Sequence, residues 1–76
     1  MNISLEKKDV ERKASALSTI LQDMNVPDSR KEVSNVSNIR WLNRNLGIEN
    51  GDHPMLETAK ELLAFILRKY FLLRRH

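Results

Sequence analysis

No cysteine occurs in the chain, so disulfides, thiolate metal sites and thiol nucleophiles are excluded. Glycine is nearly as scarce, with only Gly47 and Gly51. A glycine-rich loop able to cradle a phosphate is therefore absent. His53 and His76 are the two histidines; they lie far apart and at no ligand spacing. Long apolar runs are missing too. The greasiest stretch, from Leu62 onward, has uninterrupted runs of six and four residues. A membrane-spanning helix needs about 20. The cluster Glu49, Asp52 and His53 can be drawn as an acid–base pair, but a helix start explains it more simply. Neither an enzyme nor a metal or cofactor site is expected.

The length of 76 residues allows one helical domain, 1–76. A chain of that size buries only about 60% of its unfolded surface. Its core supplies roughly 3–5 kcal/mol unless a disulfide, metal or second subunit helps. With cysteine gone, oligomerisation is the aid left open. The first fifteen residues show no apolar segment of the secretory kind, so a cytoplasmic protein is expected.

The net charge of +3 is modest, and its distribution says more. Residues 30–44 carry four basic and one acidic group, 45–59 carry none and three, and 60–76 carry five and one. Positive charge gathers on the middle segment and the C-terminal tail. It can serve nucleic acid or an acidic partner, or complement a helix dipole in the tail.

Apolar spacing predicts an all-α, three-helix unit with helices over residues 4–24, 29–46 and 54–74, completed by dimerisation. In the first, Val10, Ala14, Leu17, Leu21 and Met24 form a heptad stripe that Ile20 widens, and Pro27 follows its end. For the second, Ser29 and Glu32 fit a capping box. Val36, Ile39, Leu42 and Leu46 line one face, and Gly47 with Ile48 suits a Schellman end. Asp52-His53-Pro54 opens the third helix.

Stepping about 100° per residue sorts the third helix into two faces. Met55, Leu56, Ala59, Leu62, Leu63, Ile66, Leu67, Tyr70 and Leu73 make the expected core stripe. Phe65, Phe71 and Leu72 fall behind it with Ala64, interleaved with Arg68, Lys69 and Arg75. An apolar patch of that kind marks an interface, so Phe65, Arg68, Phe71 and Leu72 are candidates for a homodimer or partner contact. The alternatives are that the first helix wraps part of this face, that the tail frays, or that it lies on a membrane surface.

Trp41 falls on the face of the second helix away from Ile39, Leu42 and Leu46, beside Ser34, Ser37, Asn38, Arg44 and Asn45. A tryptophan flanked by Arg and Asn has the composition of an interface hot spot. It can equally stack on a base or simply cover the core. Trp41, Asn38, Arg44 and Ser34 are therefore the candidate partner or nucleic-acid surface. The run Val33–Arg44 also has the character of a DNA-recognition helix, although the connection after Met24 is long for a helix-turn-helix.

From Ser29 to Tyr70 the chain resembles the small enterobacterial biofilm and acid-resistance regulators of the two-component connector type. The shared elements are Ser29-Arg30-Lys31, the Ile39/Leu42/Leu46 spacing, an acidic turn and the segment Leu63–Tyr70. The resemblance implies a short, helical, often dimeric protein that binds regulators and catalyses nothing. The combined expectation is a small homodimeric regulator or adaptor that binds a protein partner. The alternative is a DNA-binding regulator reading with its second helix.

Overall fold

The computed structural model describes residues 3–74, with side chains described from Glu6 to Tyr70. Three helices, α1 (Ile3–Leu21), α2 (Val36–Glu49) and α3 (Leu56–Arg74), follow one another, with a single 3-10 turn at Asp28–Arg30 between the first two. Among the described residues there is no strand, and the all-α, three-helix architecture is the one the apolar spacing predicts. The helix α3 is the spine. Both α1 and α2 pack against it, and the backbones of α1 and α2 do not pack on one another.

This arrangement explains the composition of α3. A helix covered by one neighbour needs one apolar stripe, whereas a helix gripped from two sides buries a wider arc. Ala59, Leu63 and Ile66 are buried, while Leu56, Leu62, Phe65, Leu67 and Tyr70 are half-buried and packed against the core. Leu17, Leu21 and Met24 from the α1 side and Ile39, Leu42 and Leu46 from α2 complete it.

Phe65, expected on the outward face, is thus covered in part by α1. The Lys13 ammonium of α1 sits 4.6 Å from its ring centroid, and Lys69, one turn along α3, sits 5.3 Å away. Each ammonium has a carboxylate: Lys13 pairs with Asp9 at 3.1 Å and Lys69 with Glu6 at 3.7 Å. The Lys69–Glu6 pair ties α3 to α1 beside the ring. Met55, expected in the core, is 41% exposed. It precedes the first residue of α3, where its backbone amide donates to His53 Nδ1 at 3.0 Å.

The second helix begins later than the capping box suggests. Pro27 starts a 3-10 turn closed by Arg30 N to Pro27 O at 2.9 Å and Lys31 N to Asp28 O at 3.1 Å. Asn35, with extended backbone, caps α2 instead. Its Oδ1 accepts from the amides of Ser37 (2.8 Å) and Asn38 (3.3 Å), which supplies two of the donors a helix start leaves orphaned.

The end also differs. Gly47 lies inside α2, which runs on to Glu49, and no described glycine has positive φ. Ile48 does not fold back as a Schellman contact would require; it is 77% exposed.

Asn50 terminates α2 with its side chain. Nδ2 donates to Leu46 O (3.1 Å) and Asn25 O (3.3 Å), and Oδ1 accepts from Asn25 N (2.8 Å). A buried amide that uses both donors and an acceptor here replaces the glycine cap. It also joins the end of α2 to the segment leaving α1.

Candidate binding surface around Trp41

The connector from Gln22 to Asn35 positions this surface, and two asparagines of low exposure (7% each) hold it. Asn50 grips its beginning at Asn25, as above. Asn38 grips its end: Nδ2 donates to Ser29 O (2.9 Å) and Glu32 O (2.8 Å), and Oδ1 accepts from Arg30 Nη1 (3.3 Å). Backbone carbonyls outside a helix ladder need another donor. One side chain supplies it to two of them. Val33 is buried in the core beside this point, so the connector is held by polar and apolar contacts together. No buried side-chain nitrogen or oxygen among the described residues lacks a partner.

Asn38 was expected on the partner-facing surface, and the structure corrects this. Its side chain is turned into the protein and its amide hydrogens are both used on the connector. The reason is the fold-back at Pro27, which brings Ser29 and Glu32 over that side of α2. Ser34 is exposed, with its hydroxyl 3.4 Å from Glu32 Oε1. Arg44 is exposed, as expected.

Trp41 occupies the seam between α2 and the connector. It is half-buried and packed against the core, so it is both core and surface. On one side it faces an open groove of about 510 Å³, lined also by Arg30, Val36, Ser37, Arg40, Arg44 and Asn45. On the other side a second groove of about 520 Å³ is formed with Met24, Val26, Pro27, Lys31 and Glu49. The Arg30 guanidinium lies 5.4 Å from the indole centroid, a cation–π distance. The Asn38 bond orients it there.

The groove therefore brings together Trp41 and three guanidinium-bearing side chains, Arg30, Arg40 and Arg44. Planar guanidinium groups match carboxylate or phosphate geometry through paired N–H donors. Arg30 and Arg40 were not among the residues expected at this surface. Arg40 is one position from Trp41, and its helix face could have suggested it. Arg30 arrives only because of the turn after Pro27, which apolar periodicity does not report.

Of the candidate interface at the end of α3, Phe65 is partly covered by α1 and Arg68 is exposed. The side chains of Phe71 and Leu72 lie outside the described residues. Among the described residues, no helix is long and apolar enough to cross a membrane. Compared with known proteins, the chain matches no family model, no curated protein and no solved structure.

Proposed function

We propose that the chain is a non-enzymatic helical interaction module, a small cytoplasmic regulator or adaptor, that binds an acidic segment of a partner protein at Trp41. The observation that carries this reading is that Arg30, stacked over the half-buried indole, shares one groove with Arg40 and Arg44. Tryptophan and arginine are the residues most enriched at binding hot spots, where truncation typically costs about 2 kcal/mol or more. A groove bordered by a loop held on a rigid helix is also where binding residues concentrate.

The DNA-binding reading loses ground on two points. Asn38, one of the base-reading candidates in α2, is spent on the connector. The fourteen-residue stretch from Gln22 to Asn35 separates α1 from α2, and their backbones do not pack together as a helix-turn-helix pair would.

The test is affinity recovery from the native host with wild type, Trp41→Ala and Arg68→Glu. A partner lost with Trp41→Ala and kept with Arg68→Glu supports the proposal. The same proteins recovered by all three would overturn it. Binding to duplex DNA that falls steeply with salt would favour the DNA reading. Homodimerisation through Phe65, Arg68, Phe71 and Leu72 is a subsidiary proposal, and a monomer mass in light scattering removes it.

A further inference from the structure

A third groove runs between α2 and α3 on the flank of α2 away from the connector. Its floor is apolar, with Leu46 and Leu63 beneath and Leu56 and Ala64 along the α3 wall, and its volume is about 620 Å³. Ile48, the most exposed large apolar side chain described, stands at its edge. The rims are cationic on both sides: Arg44 on α2 and Lys60 on α3. Lys60 also has an exposed ion pair with Glu57 at 3.7 Å, a weak contact at such exposure.

Gly47 is the informative residue in this groove. Glycine in a helix interior destabilises relative to alanine, and it is ordinarily retained for positive φ or for close approach. Neither applies. Its φ is not positive, and a Cβ placed on it would meet nothing within 4 Å. The missing side chain serves no internal packing. Gly47 is exposed, and it leaves the α2 side of the groove without a side chain next to Ile48.

We propose that this groove docks an amphipathic helix of a partner protein, apolar on one face and acidic along its edges. The helix-in-groove mode suits an apolar floor lying between two helices, with the apolar face seated over Gly47 between Ile48 and Leu56. The two cationic rims call for carboxylates flanking that face. The chain's own C-terminal residues are a poor occupant, since Arg74 and Arg75 would meet Arg44 and Lys60 with like charge. This site is separate from the Trp41 groove, although Arg44 borders both.

The probe is a synthetic peptide of about 15 residues, with leucines at three- and four-residue spacing and glutamates along both edges. A second peptide carries lysines in place of the glutamates. Amide chemical-shift mapping of the wild type should place the acidic peptide on Gly47, Ile48, Lys60 and Ala64, with the lysine peptide silent. Gly47→Leu fills the floor with a good helix former. It should fold, by circular dichroism, and bind about tenfold more weakly or worse. Lys60→Glu, an exposed change that leaves the core alone, should weaken the acidic peptide and admit the lysine one.

The proposal is overturned if the wild type does not bind the acidic peptide. It is equally overturned if the shifts fall on Trp41 and Arg30, or if both variants bind as the wild type does. Arg30→Ala, a change outside the apolar core, should leave this binding intact, which separates the two sites.

Discussion

The two halves of the molecule are held by different physics. Where α1 meets α3, apolar side chains interdigitate and one aromatic ring is capped by Lys13 and Lys69. Where the connector meets α2, two asparagine side chains hold backbone groups of Asn25, Ser29 and Glu32. Apolar packing is non-directional, so it tolerates a range of side chains of suitable volume. Amide clamps are directional, and each depends on one residue type at one position. The first half makes the fold stable. The second decides where Arg30 and the connector stand relative to Trp41.

Breaking each half should give different outcomes. The largest effect belongs to the apolar half. Leu17 is fully buried, and Leu17→Ala should cost about 2–5 kcal/mol, comparable with the roughly 3–5 kcal/mol a core of this size supplies. Thermal unfolding followed by circular dichroism should lose its cooperative transition near room temperature. A melting curve like that of the wild type would mean that α1 is not part of the same cooperative unit.

A smaller and more local effect is expected from Asn38→Ala. It removes the donor for two carbonyls and the acceptor for Arg30, a loss of about 1–3 kcal/mol. Water reaching the freed connector offsets part of it. Hydrogen exchange should accelerate at the amides of Arg30 and Lys31, which close the 3-10 turn, while the amides of Leu63 and Ile66 keep most of their protection. Uniform acceleration across the helices would remove the distinction between the two halves.

The same division separates what could be read in the sequence from what could not. The stripes of α1 and α3 are visible because burial repeats with the helical period: Leu17 and Leu21, then Ala59, Leu63 and Ile66, all reach the core. The breadth of the α3 stripe was visible as well, but its meaning depended on two helices sharing one spine.

The beginning of α2 was misleading for a specific reason. Ser29 and Glu32 satisfy the local capping rule, yet Asn35 caps and Asn38 reaches back over nine residues to Ser29. Gly47 reads as a C-cap by type, and Asn50 takes that part through a contact with Asn25, twenty-five residues away. Trp41, read from the sequence as lying away from Ile39 and Leu42, is half-buried and packed against the core while bordering a groove. Arg30 beside it was not foreseen, since its position follows from the turn after Pro27.

The central claim is that the protein offers a solvent-facing tryptophan in a cationic groove. Trp41 is the only tryptophan, so its fluorescence reports this site alone. The direct measurement compares quenching by iodide with quenching by caesium under native conditions at low salt. Arg30, Arg40 and Arg44 should concentrate the anion and repel the cation, giving iodide a clearly steeper quenching slope than caesium, with the difference shrinking as sodium chloride is added. Equal slopes, or an indole that neither ion reaches, would contradict the account.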